Sequence, residues 1–531
     1  MYDVLIRGGK LIDGTGATGF SADLAIKGDT IVAIGNSIEA EAHQSIDATG
    51  KVVAPGFIDL HSHADMSFFI DPDADSKITQ GVTFEYVGNC GISFCAPLIG
   101  EAASDLNTRK AWYDTDWSPD WTSFSDFLDA LEKTGSNINV ATQVGHGTIR
   151  KAIMGMDTRA PDSGEMKQMQ ALVSESLDAG ALGFSTGLSM APGYYSLAIE
   201  VFELVQVAAD RNKLYSSHIR DSSTEGPGLF VATMEALEAG RRTGAKVQVS
   251  HLKANGPLRG RSSDLIEMID KAQSDGIDAA ADVYPYVSAS GPMSGNVFPR
   301  WALEGGREQA LERLQDADLR AQIVNGLEQA FEKFSGPSKI AIANYAPDAS
   351  LEGKQLPEIA SQMNCTESEA LARIYEGFDA QLVITGMAQQ DVDLISAAPS
   401  VAIASDGSSL RSTGPLSAGK PHPRSYGTFP RFLKRVRETN LVSLEEAIRK
   451  MTTLPAERLQ LTRRGRLAPG YFADITIFDP EKVIDRASFE DGLQFSEGIQ
   501  HVLVNGVLVV NDGETVADVS PGQALMGRFR R

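Results

Sequence analysis

Short apolar runs alternate along the middle of the chain with longer stretches whose apolar residues recur at helical spacing. Runs of four to eight residues bounded by Gly, Pro or polar residues predict buried strands. Between most of them lie helical stretches such as SGEMKQMQALVSESLDAG, in which Ser163 is the predicted N-cap and Gly180 the predicted C-terminal stop. The eight predicted strands are residues 56–61, 82–88, 139–145, 181–185, 213–219, 246–252, 278–284 and 400–405. Eight strand–helix units predict an α/β fold with a closed parallel (β/α)8 barrel of the TIM type; an open doubly wound sheet is the alternative.

The two ends of the chain have a different pattern, in which short strands are separated by turns rich in Gly, Asp and Asn. We predict that residues 1–54 and 464–531 pair into one small β-sandwich domain, with two unrelated β appendages as the alternative. The barrel then takes residues 55–463. The long gap between its seventh and eighth strands, about 287–399, predicts an insertion beside the barrel mouth with helices of its own.

Composition and charge narrow the class of protein. The 531-residue chain is 42% hydrophobic and 22% charged, and its net charge is −22. The acidic balance argues against a nucleic acid or an anionic membrane as partner, although a few local cations can still bind a small anionic substrate. The sequence has no predicted signal peptide, no apolar run of about 18 residues and, with three cysteines, no disulfide framework. These features predict a cytoplasmic enzyme and leave its oligomeric state open.

Histidines concentrate where the predicted strands end. Side chains alternate along a strand, so His61 and His63 in GFIDLHSHAD project to one side of the first strand. In a parallel barrel the active site gathers at the carboxyl ends of the strands, so imidazoles converging there predict a metal site; polar strand ends facing water are the alternative. The chemistry-bearing residues at these ends are His61, His63, Cys90, His146, His218, His251 and Asp406.

The ordered set resembles the amidohydrolase superfamily: His-x-His on strand one, His on strands five and six, and Asp on strand eight. Within it, YVGNCGIS, GALGFSTGL, HIRD, SHLKANG, DVYPY and HPRSYGTFPRFL resemble the N-acyl-D-amino-acid deacylases, or D-aminoacylases. The resemblance covers nearly the whole chain, including the split β domain. It implies zinc-dependent hydrolysis of the amide bond of N-acyl-D-amino acids to a carboxylate and a free D-amino acid. The preference for D over L rests on the resemblance alone.

Many amidohydrolases bridge two metals with a carboxylated lysine from strand four, but GALGFSTGL contains no lysine. Cys90 can supply the missing negative ligand as a thiolate, and zinc accepts sulfur and nitrogen donors. The family pattern agrees that Cys90, His218 and His251 hold one tight Zn²⁺. In that pattern His61 and His63 belong with Asp406 to a second, weaker position, which either binds a second Zn²⁺ or polarises the substrate without one. A small buried core residue is the alternative for Cys90, and Cys95 and Cys365 are interpreted as structural.

Catalytic and substrate-binding roles follow from the same resemblance. Asp406 is the candidate to take a proton from water and pass it to the leaving amine, with a metal-ligand or helix N-cap role as alternatives. Arginine grips a carboxylate with paired hydrogen bonds, and Arg424 matches the family's carboxylate-binding arginine. The candidate substrate-binding residues are Lys253, Tyr284, Arg424, the weaker Ser290 and, for an oxyanion or a supporting role, His146. Structural hydrogen bonds at the barrel rim are the alternative for Lys253 and Tyr284.

Three rival functions are open at this stage. One is a cyclic amidase similar to hydantoinase or dihydroorotase, against which the missing strand-four lysine argues. Another is a dipeptidase for peptides with a C-terminal D-residue, which needs the same chemistry. The last is a non-catalytic scaffold, which should lack several ligands. The expected partner is a small N-acyl amino acid, and Met190, Tyr194 and Tyr195 are candidates for an apolar pocket around its side chain.

Overall fold

The structure is a computed structural model that describes residues 1–94, 97–110, 112–113, 115–220 and 227–525. Cys95 lies outside the described residues. The strands are β1 (Tyr2–Leu11), β2 (Phe20–Lys27), β3 (Thr30–Gly35), β4 (Ala42–Asp47), β5 (Val52–Pro55), β6 (Phe57–Asp59), β7 (Val82–Val87), β8 (Asn139–Thr142), β9 (Val144–Gly145), β10 (Gly183–Gly187), β11 (Leu214–His218), β12 (Lys246–Val249), β13 (Ala279–Val283), β14 (Ser288–Pro292), β15 (Ile340–Asn344), β16 (Gln381–Thr385), β17 (Val401–Ile403), β18 (Ile475–Phe478), β19 (Ile499–Val504), β20 (Val507–Asn511) and β21 (Glu514–Thr515).

Helices follow most of the central strands. They are α1 (Ser67–Ile70), α2 (Asp75–Ile78), α3 (Glu101–Lys110), α4 (Phe124–Thr134), α5 (His146–Met154), α6 (Ser163–Ala179), α7 (Ala198–Ala209), α8 (Leu229–Thr243), α9 (Ser262–Ser274), α10 (Met293–Asn296), α11 (Arg307–Gln315), α12 (Ala317–Ala330), α13 (Leu356–Met363), α14 (Glu367–Gly377), α15 (Gln389–Ala397), α16 (Arg424–Thr439), α17 (Leu444–Met451) and α18 (Thr453–Arg458). Within the described ranges, no helix combines the length and the apolar character needed to cross a membrane.

All eight predicted barrel strands are present, and they pair in parallel. The hydrogen-bonded order is β6–β7–β8 and, after a one-residue break at Gln143, β9–β10–β11–β12–β13–β17. The last strand returns to the first, because Asp406 N–H donates to His61 C=O and His63 N–H donates to Gly407 C=O, both at 2.8 Å. The near-continuous burial of these strands explains their runs of apolar residues, since helices cover a parallel sheet from outside. The closed barrel is confirmed.

The helix predicted between the third and fourth predicted strand regions shows how well its ends could be located. Helix α6 is capped by Asp162, one residue before the predicted Ser163. The Asp162 carboxylate accepts hydrogen bonds from the N–H groups of Gly164 at 2.7 Å and Glu165 at 2.8 Å, and Glu165 closes a capping box. A carboxylate satisfies two free N–H groups and favours the positive end of the helix dipole, so it displaces the neighbouring serine. Gly180 ends the helix as predicted.

A separate lobe projects between β13 and β17. Strands β14, β16 and β15 form an antiparallel sheet, and helices α10 to α14 surround it. The lobe has its own apolar core, in which Phe298 stacks on Tyr375 with ring centres 4.1 Å apart. Helix α15 instead packs against α9 and β17, so it belongs to the barrel. The part of the chain that leaves the barrel is therefore about 288–385, shorter at its end than the predicted 287–399.

The two chain ends pair through β5 and β18, which run antiparallel with Val53 opposite Ile477. One continuous sheet follows the order β21–β20–β19–β18–β5–β1–β2–β3, and β4 adds to β1. Side chains from distant strands share one core, including Ile6, Leu24 and Leu503, so the sheet curls over itself. The structure thus joins the two β segments into one unit beside the barrel. His43 on β4 and His501 on β19 belong to this unit.

Candidate metal centre

Six side chains meet at the carboxyl ends of the barrel strands. Their donor atoms form two groups, and within each group all the atoms lie within 4.8 Å of one another. Cys90 belongs to both groups. One group contains His61, His63, Cys90 and Asp406, and the other contains Cys90, His218 and His251. Five strand regions, spread around the ring, supply these residues: β6, β7, β11, β12 and β17.

In the first group, Asp406 lies against both histidines of the His-x-His motif. Its Oδ1 is 3.3 Å from His61 Nε2 and 3.1 Å from His63 Nε2. Cys90 Sγ is 3.3 Å from His61 Nε2. His61 is fully buried, whereas the His63 side chain is 30% exposed toward the cavity. These four residues offer nitrogen, oxygen and sulfur donors around one point.

The second group has the spacing of zinc ligands. His251 Nε2 lies 3.5 Å from Cys90 Sγ and 2.9 Å from His218 Nδ1. With zinc–sulfur and zinc–nitrogen bonds of about 2.3 Å and 2.0–2.1 Å, a tetrahedral site separates sulfur from nitrogen by about 3.5 Å and two nitrogens by about 3.3 Å. The donor set and its spacing therefore fit a single zinc ion.

Three residues of the cluster have left-handed backbone conformations: Cys90 with φ 54°, His251 with φ 36° and Asp406 with φ 51°. Positive φ is uncommon outside glycine and costs conformational energy. The turn around Cys90 in GNCG is crowded as well, because a Cβ on Gly88 would lie 2.1 Å from Gln143 C=O. Only glycine fits there, and the chain can turn sharply after β7 to aim Cys90 at the histidines.

Electrostatics favour the thiolate form of Cys90. Burial acts to raise the pKa of its thiol, but the imidazoles of His61, His218 and His251 outweigh burial and hold that pKa well below its usual range. The pKa of the Asp406 carboxyl is likewise held well below its ordinary value despite burial, chiefly by Arg424. Arg424 Nη1 donates to Asp406 Oδ2 at 2.7 Å. The cluster thus carries two anionic donors at neutral pH.

Three of the four histidines have partners outside the cluster on the ring nitrogen that faces away from it. Asp282 Oδ1 accepts hydrogen bonds from His61 Nδ1 at 3.1 Å and from His251 N–H at 2.8 Å. Ser189 Oγ is 2.7 Å from His218 Nε2, which leaves Nδ1 for the cluster. Lys253 Nζ lies 2.8 Å from His251 Nδ1, on the side of the ring away from the cluster. Such partners orient metal-binding imidazoles.

A cavity of about 300 Å³ opens from the cluster toward the lobe. The lobe supplies one wall, with Ser290, Pro292 and Asn344 among its residues. Most of the remaining wall is apolar and includes Met66, Ile92 and Phe94. The cavity can therefore hold a small molecule against His63, Cys90, His218, His251 and Asp406.

Comparison with known proteins agrees with these observations. The Amidohydrolase family matches residues 44–284 and 371–510. The chain belongs to the amidohydrolase family. Over 510 residues it is 37% identical to the N-acyl-D-glutamate deacylase of Alcaligenes xylosoxydans xylosoxydans, covering 96% of this chain and 93% of that protein. It is 35% identical to the D-aminoacylase of the same organism, covering 96% and 94%.

Solved structures point to the same relatives of this amidohydrolase. N-acyl-D-glutamate deacylase from Bordetella bronchiseptica, complexed with zinc and a phosphonate mimic of the tetrahedral intermediate, superposes with a TM-score of 0.83 at 35% identity over 99% of both chains. A D-aminoacylase described as having a binuclear metal centre superposes with a TM-score of 0.82 at 32% identity over 99% and 100%. The L-hydantoinase from Arthrobacter aurescens, at 17% identity over 99% and 100% with a TM-score of 0.57, shares the fold. The predicted resemblance is confirmed.

The structure brings most of the predicted substrate residues of this amidohydrolase to the cavity. Lys253, Ser290 and Arg424 line it. Arg424 Nη2 donates to Ser290 C=O at 3.0 Å. Tyr284 is buried behind them, and its ring centre lies 5.0 Å from the Arg424 guanidinium carbon and 5.9 Å from Lys253 Nζ. The Tyr284 ring therefore lies next to the charged groups of both Arg424 and Lys253. No helix begins at Asp406, so the N-cap alternative does not apply.

His146 lies apart from this group. It is the first residue of α5, which follows β9 without a loop, and its side chain turns outward to Glu200 on α7. His146 Nε2 is 2.8 Å from Glu200 Oε1, and Arg150 Nη1 is 2.7 Å from Glu200 Oε2. His146 is buried in this ion-pair cluster and, in the described part of the chain, does not line the cavity. A role toward the substrate stays a prediction. Met190 lines the cavity, whereas among the described residues Tyr194 and Tyr195 do not.

Sequence reasoning gave no role to two partners in this amidohydrolase. Asp282, which the sequence places near the end of the seventh predicted strand, carried a signal, since a carboxylate inside the otherwise apolar stretch AAADVY needs a buried partner. Ser189 carried none, because its contact with His218 depends on how the loop after β10 meets β11.

Proposed function

We propose that the chain is a zinc-dependent N-acyl-D-amino-acid deacylase, which hydrolyses N-acyl-D-amino acids to a carboxylate and a free D-amino acid. The observation that carries the proposal is the position of Cys90 between two groups of metal-ligand side chains at the mouth of the barrel. The near full-length relatives that act on N-acyl-D-amino acids support the substrate class. A small-molecule partner and a cytoplasmic location stay predictions.

The Cys90–His218–His251 group would hold the tight Zn²⁺, and His61, His63 and Asp406 with Cys90 would form the weaker second position. Bound zinc polarises a carbonyl oxygen and lowers the pKa of water to about 7. The thiolate offsets the positive charge of the ion. Asp282, Ser189 and Lys253 hold the imidazoles in place.

Asp406 would move the proton. Its carboxylate is ionised at neutral pH and faces His61 and His63 with one oxygen, while Arg424 fixes the other oxygen. It can take a proton from the attacking water at the acyl carbonyl and deliver it to the leaving amine. His63, which is partly exposed at the edge of the cluster, or the metal would steady the oxyanion.

Arg424 and Lys253 would bind the substrate carboxylate. A guanidinium has five N–H donors, so Arg424 keeps donors beyond those used on Asp406 and Ser290. Lys253 adds a second positive charge on the same wall, backed by the Tyr284 ring. The two cations counter the acidic charge of the whole chain at this point.

Arg424→Ala should lower kcat/KM for free N-acyl-D-amino acids by about 10²-fold or more, because a charged hydrogen bond contributes roughly 1.5–3 kcal/mol and Asp406 also loses its partner. The measurement compares each free acid with its methyl ester. The ester loses only the second effect, so its loss should be clearly smaller. Equal losses for acid and ester would remove Arg424 from carboxylate binding.

A substrate screen tests the proposed function directly. Zinc-loaded protein is incubated with N-acetyl-D- and N-acetyl-L-amino acids, hydantoins and dipeptides ending in a D-residue, and amine release is measured. We expect turnover of the N-acetyl-D series and little of the others. Turnover of hydantoins alone would indicate a cyclic amidase, and turnover of dipeptides alone a dipeptidase. A zinc-loaded protein inactive on every set would contradict the proposal.

A further inference from the structure

Below the barrel mouth, Lys77 on α2 is fully buried between two carboxylates. Its Nζ lies 2.7 Å from Asp59 Oδ2 and 2.9 Å from Glu85 Oε1, and all three side chains are 0% exposed. Nζ also donates to Ser405 Oγ at 2.8 Å. Burial alone would lower the pKa of Lys77, but the two carboxylates outweigh it and raise that pKa. Lys77 is therefore a charged ammonium that neutralises two buried anions.

Each carboxylate holds a piece of chain that carries a donor of the first group. Asp59 Oδ1 accepts from Ser405 N–H at 2.9 Å, and Asp59 Oδ2 accepts from Ser405 Oγ at 2.5 Å. Ser405 directly precedes Asp406. Glu85 Oε1 accepts from Ser62 Oγ at 2.6 Å, and Ser62 stands between His61 and His63.

The network therefore ties the first barrel strand to the last. Ser62 Oγ also lies 3.2 Å from the carbonyl oxygen of Gly407, and Gly407 N–H donates to Ser405 Oγ at 3.0 Å. Ser409 Oγ donates to Glu85 Oε2 at 2.5 Å. His218 and His251 come from β11 and β12, elsewhere in the ring. None of these bonds of the Lys77 network reaches the backbone at His218 or His251.

We propose that Lys77 is a positioning residue for His61, His63 and Asp406, and that it acts through Asp59, Glu85 and the serines they hold. The inference rests on the proposed metal-binding role of these residues. The new element is that the tight and the weaker metal positions depend on different parts of the barrel. Loss of Lys77 leaves Asp59 and Glu85 facing each other without a cation, and their repulsion should shift the chain around Ser62 and Ser405.

The experiment measures zinc affinity. Metal-free wild type and Lys77→Met are titrated with Zn²⁺ by calorimetry, and bound zinc is counted after dialysis. We expect the weaker site to lose roughly 10–100-fold in affinity, as when outer partners of metal ligands are removed. The tight site should change by less than about 3-fold. If the single variant does not fold, the double variant Lys77→Met/Glu85→Gln is titrated in its place. It keeps one buried carboxylate and has no buried ammonium at this position.

Lys450→Met is the matched control. Lys450 is also 0% exposed, but it donates to Ala398 C=O just before β17, at the end of that strand opposite Asp406. It should leave both affinities unchanged. Equal weakening of both sites in the Lys77 variant, an unchanged weaker site, or a wild-type protein with one site would each overturn the proposal. Because zinc affinity is the readout, an inactive wild type in the substrate screen would refute the deacylase proposal and leave this result standing.

Discussion

Asp406→Asn should lower kcat by about 10²–10⁴-fold, the range that a positioned general acid–base contributes, while the protein keeps its tight zinc. An amide cannot accept the proton that the ionised carboxylate accepts. The tight group of Cys90, His218 and His251 does not include Asp406, so its zinc should stay. The measurement pairs steady-state kinetics on an N-acetyl-D-amino acid with zinc content after dialysis.

Backbone strain should not confuse this result. Asp406 has a φ of 51°, a conformation that asparagine tolerates about as well as aspartate. Asp485→Asn is the matched control, because Asp485 is also buried and pairs with an arginine, Arg431, at 2.9 Å. Asp485 does not line the cavity in the described part of the chain, so this variant should keep its kcat. Near-normal turnover by Asp406→Asn would show that the proton moves by another route.

The barrel could be predicted because its signals are local. Buried parallel strands have near-continuous apolar sequences, and each strand reveals its own end by a polar residue. His61, Cys90, His218, His251 and Asp406 could be grouped because a closed barrel brings all its carboxyl strand ends to one face. The order of the strands around the barrel is enough to predict that these residues lie close together, and no loop conformation has to be known.

The sequence was least informative where the direction of a side chain depends on the next element of structure. His146 ends its strand as His218 does, but α5 begins at His146 itself, and the start of the helix turns the ring toward Glu200. The side-chain hydrogen bonds of Asp282 join residues 31 or more positions apart in sequence. Those that Lys77 makes to Asp59 and Ser405 join residues 18 and 328 positions apart. The hydrophobic periodicity of the sequence contains no information about such contacts.

The long segment between the seventh and eighth predicted strands was also difficult to assign from the sequence. Helix α15 and the lobe both lie between the seventh and eighth predicted strands, and helical spacing alone does not say which core a helix packs against. Packing assigns α15 to the barrel and leaves the antiparallel sheet to the lobe. The lobe matters for function because Ser290 on β14 accepts from Arg424. The wall of the cavity thus depends on a segment whose topology was not predictable from pattern.

Cys90→Ala should remove zinc from both positions and abolish measurable turnover, because Cys90 is the one residue that belongs to both groups of donors. Loss of a direct ligand should cost more than the roughly 10–100-fold in affinity that loss of an outer partner costs. It also removes the anion beside His61 and His251, so bound cations meet only neutral nitrogen donors in the second group. Zinc content after dialysis and calorimetric titration measure the loss.

Two further variants separate metal binding from packing. Cys365→Ala changes the other described cysteine, which packs in the lobe, and it should keep zinc and activity. Cys90→Asp restores a negative donor at a φ of 54° that aspartate tolerates, so it should recover part of the zinc that alanine loses. If Cys90→Ala kept its zinc, the thiolate would be a buried core side chain, and the metal would have to depend on His218 and His251 alone. That result would refute the proposed metal centre. It would not affect the barrel fold, because the hydrogen bonds that close the barrel do not involve Cys90.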